Sequence, residues 1–399
     1  MNVAVIGMQF GDEGKGKIVD FLAERFDVVA RFSGGSNAGH TIVRDGEKFK
    51  FHIIPSGVLR GKIGVLGNGM VINPRKLMDE IKILNEHSIK ANILISSRAH
   101  VVTRFHEEID AVQDKELGIG TTRQGIGPCY QAKYQRSGLR IGDLFNLNFA
   151  VSRLKKQLSL AGLNVEHRAI EREISELRNM LLSLKKNIVD TEIWLNHAMD
   201  SGKNVLFEGS QGSFLDIDFG TYPFVTSTNT TVGGIIAGLG IAPRRIHKVI
   251  GVAKAYMTRV GSGPFPTELF GEDANFLRER GGEYGATTGR PRRVGNPDFV
   301  LLKYASLING VDEIALTKVD VLSGVLDLQV ATTYNCNGET YDFPPPNIED
   351  CVPKYESMNG WTDIDDENLN LFIKKIEDFT GARVKYISYG PEPEKTEVL

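Results

Sequence analysis

"NVAVIGMQFGDEGKGKIVDFLAERF", residues 2–26, decides the fold. Residues 3–6 are apolar and rich in β-branched types, and the run stops at Gly7. That is the pattern of a buried parallel strand. From Lys15 onward, Ile18, Phe21 and Leu22 fall at helical spacing. A glycine loop lies between. In a strand–glycine loop–helix unit, backbone N–H groups can approach phosphate oxygens, and the helix N-terminus adds positive potential. Read from Gly11, the loop is G-x-x-x-x-G-K, the start of a P-loop. The next residue is Ile18, where Ser or Thr would hold Mg²⁺. Asp12 stands inside the loop instead. The expectation is a buried acid that replaces the missing hydroxyl as a Mg²⁺ ligand and can also accept a proton. The competing reading of Asp12 is a helix N-cap. The dinucleotide fingerprint G-x-G-x-x-G is absent, which speaks against a dehydrogenase.

Outward from this segment, strands and helices alternate. "DVVARF" (27–32) is a second strand, running into the glycine loop "SGGSNAGHT" (33–41). "KIGVLG" (62–67) and "ANILIS" (91–96) flank a helical stretch at 73–89. "NVLFEGSQG" (204–212) repeats the strand-to-glycine-loop pattern, and "HKVIGVAKAY", "EIALTKVD" and "ARVKYISYGP" supply later strands. Ile170, Ile174, Leu177, Leu181 and Leu184 mark a packed amphipathic helix within a helical insertion at roughly 146–200. Residues 108–143 read as Gly-rich and poorly periodic, a mobile or ligand-ordered loop. "DFPPPNIEDCVPKYE" (342–356), with three consecutive prolines, reads as a surface excursion. The expectation is α/β: a single domain over 1–399, with a large, mainly parallel, P-loop-like central sheet flanked by helices. Ligands in such sheets sit at the carboxyl ends of strands, where the glycine loops fall.

Composition narrows the class. The 399 residues are 41% hydrophobic and 24% charged, ordinary for a globular protein with a large core. A net charge of −3 lacks the basic bias of nonspecific nucleic-acid or membrane-surface binders. The three cysteines, Cys129, Cys336 and Cys351, show no CxxC spacing. They suggest a reducing cytosol rather than a disulfide scaffold or zinc site. A strand beginning by Val3 leaves no room for a signal peptide, and no apolar run has the length of a membrane span. A cytoplasmic location is the expectation.

Other residues carry chemistry. Beside a phosphate loop, His40 is a candidate acid or a hydrogen-bond donor to developing charge. Asn37 and the neighbouring glycines can supply amide contacts. Arg290, Arg292 and Arg293 in "GATTGRPRRVG" suit carboxylate or phosphate capture. In "TKVD" (317–320), a carboxylate can accept two N–H bonds from a guanine edge while the lysine stem packs on the ring.

Together these stretches resemble the adenylosuccinate synthetase family over nearly the whole chain. The motifs are "GDEGKGKIVD", "GGSNAGHT", "GTTRQGIGPCYQAKYQR", "FEGSQGSFLDIDFGTYPFVTSTNTT", "TRVGSGPFPTEL", "GATTGRPRR", "LTKVDVL" and "ISYGP", in that order. The resemblance implies GTP- and Mg²⁺-dependent ligation of IMP and L-aspartate to adenylosuccinate, through a 6-phosphoryl-IMP intermediate. This is the committed step towards AMP. It further implies that Asp12 takes the N1 proton of IMP and ligates magnesium together with the Gly39 carbonyl. His40 would be the acid and Lys15 a phosphate-stabilising cation. GTP would be held by Gly11, Asp12, Glu13, Gly14, Lys15, Gly16, Lys17, Gly39, His40, Thr41 and Arg292. Its base would lie against Lys318, Val319, Asp320, Ser388, Tyr389 and Gly390.

For IMP, the resemblance implies Asp12, Glu13, Gly14, Lys15, Asn37, Ala38, Gly39, His40, Thr122, Gln211, Thr226 and Arg290. Arg136 would reach the IMP of a neighbouring subunit, so a homodimer is implied. Aspartate would meet the loop Ala286, Thr287, Thr288, Gly289, Arg290, Pro291 and Arg292. The chain departs from the family at Phe10, where Trp is usual, at Tyr389, where Thr is common, and at Pro291, where Arg is common. Competing readings are a regulatory GTPase, a fold-keeping binding protein without activity, and a related synthetase acting on another purine nucleotide such as dGMP.

Overall fold

The computed structural model describes every residue except Ala38, Asp45, Ile119, residues 286–288, Arg290 and Pro393. Ten strands form the central sheet. They are β1 (Val3–Gly7), β2 (Val28–Arg31), β3 (Ile63–Leu66), β4 (Ile93–Ser96), β5 (Ile188–Val189), β6 (Val205–Glu208), β7 (Lys248–Lys254), β8 (Glu313–Thr317), β9 (Arg383–Ser388) and β10 (Thr396–Val398). Their spatial order is β10-β9-β8-β7-β1-β6-β2-β3-β4-β5. All neighbours run parallel except β9 and β10. The sheet is mainly parallel, as the sequence indicates, and each strand reading above falls on one of these strands.

Strand β1 is buried on both faces, and its alternation shows why. Val3 and Val5 pack with Ile18, Val19 and Leu22 of helix α1 (Lys15–Ala23). Ala4 and Ile6 point the other way, against Val28, Ala30 and Phe207. A period of two sends successive side chains to opposite faces, so a strand covered by helices on both sides needs a continuous apolar run. From β1 the chain crosses to β2 on one side, while β7 and β8 lie on the other. The carboxyl end of β1 is therefore a topological switch point, where a crevice opens.

Three expectations are corrected. Residues 108–143 are not one long loop: α3 (Arg104–Leu117) and α4 (Ile126–Tyr134) occupy most of them. The start of α3 is hard to read because His106 fills the reciprocal capping position. Its Nδ1 accepts the Thr103 N–H at 3.0 Å, where Glu or Gln is the usual signal. The proline-rich stretch is only partly an excursion, since Cys351–Met358 is a strand paired antiparallel with Leu328–Cys336. That pairing sets Cys336 opposite Cys351 with Cα atoms 4.3 Å apart, and the two form a disulfide. Cys129 is the free, buried thiol.

Away from the crevice, α2 (Pro74–Glu86), α5 (Leu147–Leu160) and α6 (His167–Leu181) build a satellite core. Leu77, Leu84, Leu154, Ile174 and Leu181 lie in it. Helix α2 starts where Asn73 accepts the Arg75 and Lys76 N–H groups, with Pro74 in its first turn.

Candidate active site

The loop after β1 is shaped by left-handed residues, with φ of 85° at Gly11, 59° at Asp12 and 89° at Gly14. Gly14 is the N-cap of α1 and offers no side chain, so the N-cap reading of Asp12 is wrong. Asp12 is also exposed, while its neighbour Glu13 is the buried acid. Glu13 Oε1 accepts the N–H groups of Gln9 at 3.0 Å and Gly11 at 2.9 Å, and Lys15 Nζ reaches Oε2 at 2.5 Å. The Glu13 carboxylate is thus committed to the loop itself. Its twist turns the adjacent Asp12 outward.

The loop after β6 packs against this one. A Cβ on Gly212 would meet the Gln9 carbonyl at 2.2 Å and the Glu13 carboxylate at 2.5 Å. Only glycine permits that approach. The preceding residue, Gln211, is left-handed at φ 56°, and both of its side-chain polar atoms are buried without partners. Buried and unpaired beside them, across the ends of β2 and β6, are Ser33 Oγ, Ser36 Oγ, Asn37 Oδ1 and His40 Nε2. Asn37 Nδ2 reaches Thr226 Oγ1 at 3.4 Å. Buried polar atoms are nearly always paired, so such a group is a candidate place for a ligand or a water to supply the partner.

His40 opens a hairpin, His40–Arg44 with Glu47–Phe51. Its ring is mostly buried, with Nε2 3.9 Å from Glu208 Oε1. Burial, then Arg31, His52 and Lys15, push its pKa well below the usual value. The imidazole is neutral near pH 7 and can donate one N–H. Glu208, at the end of β6, accepts the Ser56 N–H at 2.8 Å and the Ser56 hydroxyl at 3.0 Å. Burial raises its pKa. Gly39 and Thr41, on either side of His40, are exposed.

At the other end of the crevice, Lys318 is left-handed at φ 56° and leads into the turn Val319–Leu322. Val319 is buried beneath that turn, and Asp320 is exposed on it. Ser388 ends β9, and Gly390 turns with φ 63°. Tyr389 donates its hydroxyl to Glu397 at 2.7 Å. Lys17 takes a place the sequence does not suggest. Its Nζ donates to the carbonyls of Tyr389 at 3.2 Å, Gly390 at 3.0 Å and Lys395 at 2.9 Å. Burial brings its pKa down to about 8. The side chain ties α1 to the loop after β9, whereas Lys15 and Gly16 stay with the phosphate loop.

Between the two ends sits Glu283, fully buried. Lys254, Tyr256, Lys318 and Arg292 all reach its carboxylate. Burial opposes its charge, yet Lys254, Lys318 and Arg292 hold its pKa well below the carboxylate range. Arg292 Nε also lies 2.9 Å from Asp12 Oδ2. Gly289 is left-handed at φ 64°, and Pro291 bridges to Tyr284. Thr122 is exposed in the segment after α3, which Asp114 secures by accepting the N–H groups of Gly120 at 2.9 Å and Thr121 at 2.7 Å. Arg136 is exposed just past α4, left-handed at φ 65°. Of the other expected site residues, Ala38, Ala286, Thr287, Thr288 and Arg290 lie outside the described residues.

A family model described as adenylosuccinate synthetase matches residues 4–397. The chain belongs to the adenylosuccinate synthetase family. It is an enzyme, a ligase of that kind. The adenylosuccinate synthetase of Streptococcus gordonii is 44% identical over 421 residues, covering 100% of this chain and 98% of its own. That of Lactococcus lactis subsp. cremoris is 45% identical over 422 residues, with the same coverage. The structure of fully ligated adenylosuccinate synthetase from Plasmodium falciparum aligns with a TM-score of 0.93 at 40% identity, covering 100% of this chain and 99% of that one. The succinoaminodeoxyadenylate synthetase of cyanophage S-2L aligns with a TM-score of 0.69 at 23% identity, covering 100% and 95% of the two chains. That is a likeness of fold alone.

The sequence reading of this adenylosuccinate synthetase relative missed Ser33, Ser36, Glu208 and Glu283. The first three lie in glycine-rich motifs at strand ends, and that position was the available signal. Glu283 carried none. Magnesium fits the donors that are present. Asp12 offers an exposed carboxylate and Gly39 an exposed carbonyl position, and Mg²⁺ takes few protein oxygens and completes its shell with phosphates and water. Among the described residues no cluster of three or more His, Cys, Asp or Glu side chains forms a self-sufficient metal cage.

Proposed function

We propose that the enzyme joins IMP to L-aspartate at the expense of GTP, with 6-phosphoryl-IMP as the intermediate. The observation that carries this reading is the group of unpaired buried polar atoms on Gln211, Asn37, Ser33, Ser36 and His40 beside the phosphate loop. They suit a polar heterocycle held against a triphosphate. Asp12 accepts the N1 proton of IMP, and the 6-oxygen becomes the nucleophile towards the GTP γ-phosphorus. The bond to the β-phosphate oxygen breaks and GDP leaves. The aspartate amine then attacks C6, and phosphate departs with the 6-oxygen.

Lys15 and the N–H groups at the start of α1 stabilise charge on the transferring phosphoryl group, and positioning supplies most of the rate. His40 donates a hydrogen bond from its neutral ring. Asp12 and the Gly39 carbonyl would hold magnesium, which when bound would supply charge neutralisation on the phosphates. Asn37, Thr122, Gln211, Thr226 and Arg290 hold IMP. Asp320 and Lys318 read guanine, and the loop from Ala286 to Arg292 closes on aspartate. A homodimer with Arg136 acting across the interface, one domain spanning the chain and a cytoplasmic location belong to the same reading. Sedimentation with and without IMP tests the dimer.

The deciding experiment is a product assay by ultraviolet spectrum and mass, omitting IMP, aspartate, GTP or Mg²⁺ in turn. Adenylosuccinate should form only in the complete mixture. Product from dGMP but not IMP would overturn the substrate assignment.

A further inference from the structure

We propose that Arg259 is a positioning residue for IMP: its buried guanidinium fixes the segment that leads into Thr226. The inference rests on the reading given under Proposed function, which sets IMP against Thr226, Asn37 and Gln211. The strand Met257–Arg259 follows β7, and its last residue is 1% exposed. Arg259 Nη1 donates to the Thr221 hydroxyl at 3.0 Å and to the Pro264 carbonyl at 2.8 Å. Nη2 donates to the Phe224 carbonyl at 3.0 Å, and Nε to the Ser262 carbonyl at 3.0 Å. The guanidinium also lies over the Phe10 ring, 4.4 Å from its centre. One side chain thus ties the segments 221–224 and 262–264 to the loop after β1.

Thr226 stands two residues past Phe224. Its N–H donates to the Leu215 carbonyl at 2.8 Å, and its Oγ1 lies 3.4 Å from Asn37 Nδ2. The turn before it closes on itself through the Phe224 N–H and the Thr221 carbonyl at 2.9 Å, and Tyr222 and Pro223 on its outer side are exposed. Arg259 holds the inner side. The two segments meet there so closely that a Cβ on Gly263 would stand 2.6 Å from the Phe224 Cβ. Stability does not account for the charge. Glu268, the carboxylate that Arg259 feels, is bonded twice by Arg293, and among the described residues Arg259 forms no ion pair of its own. Burial, then Arg293, bring its pKa down to about 9, so it is a cation at pH 7. A buried cation without a carboxylate adds little net stability. A planar fork, in contrast, holds several acceptors in fixed directions, which a lysine or a neutral side chain cannot do.

The test measures KM for IMP and for GTP in the wild type, Arg259→Lys, Thr226→Ala and the double variant. Lysine keeps a charge near Phe10 but loses the fork. Arg259→Lys should raise the IMP KM about tenfold and leave the GTP KM within about twofold. Thr226→Ala should also raise the IMP KM. In the double variant the two increases should not multiply, because a displaced Thr226 has little left to lose. Thr221→Val removes one acceptor and leaves Arg259 in place. It should raise the IMP KM about threefold, again without multiplying with Thr226→Ala, and it carries the test if Arg259→Lys fails to fold by circular dichroism. Equal rises in both KM values, or rises that multiply, overturn the positioning role and leave Arg259 a structural residue. An unchanged IMP KM in folded Arg259→Lys overturns it as well. If Thr226→Ala leaves the IMP KM unchanged, the assignment of Thr226 falls and the positioning role with it. No adenylosuccinate from the wild type would instead refute the proposed function, and that control separates the two failures.

Discussion

Glu173 and Glu283 are both fully buried carboxylates, and both gather cations. Glu173, on α6, holds Arg75 by two bonds of 3.0 and 2.8 Å and accepts the Arg104 N–H at 3.0 Å. It thereby joins α2, α3 and α6. The two arginines run out to solvent, with side chains 29% and 35% exposed. Glu283 is built from the same chemistry, but its cations lead to the turn that carries Asp320, to the loop after β1 and to Asp12. Burial and charge pairing do not tell a structural acid from a functional one. What differs between the two is where their partners lead.

Three measurements bear on that contrast. Glu173→Ala leaves two guanidiniums facing a gap, and should cost about 3 kcal/mol in denaturant unfolding, the low end for a broken buried pair because both cations keep contact with water. Turnover per folded molecule should be unchanged; a fall in kcat would erase the distinction between the two acids.

Acid should also strike the satellite region. His106 is buried, and burial lowers its pKa from 6.5 to about 4. An unfolded chain binds this proton first, so the contribution to stability is whole above pH 6.5 and declines as pH falls towards 4. By pH 4.5 the loss should reach about 2.6 kcal/mol. His106→Gln should flatten the pH dependence of unfolding by that amount, and equal slopes in both proteins would remove His106 from the account.

The smallest effect falls at the turn that carries Asp320. Asp320→Asn should raise the KM for GTP roughly tenfold, about 1.4 kcal/mol, and relax the preference for guanine. Undiminished discrimination between GTP and ATP would place base recognition elsewhere.

The strands and their parallel sense were legible because an apolar run capped by glycine has few other uses in an α/β chain. Their order was not. Strand β6 inserts between β1 and β2 from far along the chain, and local pattern carries no signal of that. The glycine loops announced a phosphate site, but not which of two adjacent acids would turn inward, since left-handed residues set that direction. The helix from Arg104 stayed hidden behind a histidine in a capping role. The disulfide stayed hidden because Cys336 and Cys351 meet only through strand register. Glu283 was illegible for a related reason. In "GGEYGATTG" it looks like one more surface acid, and only the fold brings Lys254, Tyr256 and Lys318 around it.

Lys17 makes one more consequence concrete. Its backbone belongs to the first turn of α1, while its ammonium grips three carbonyls in the loop after β9. One side chain thus braces the start of α1 against the loop after β9. On the reading given under Proposed function, Lys17 would hold the base end and the phosphate end of the GTP site at a set spacing.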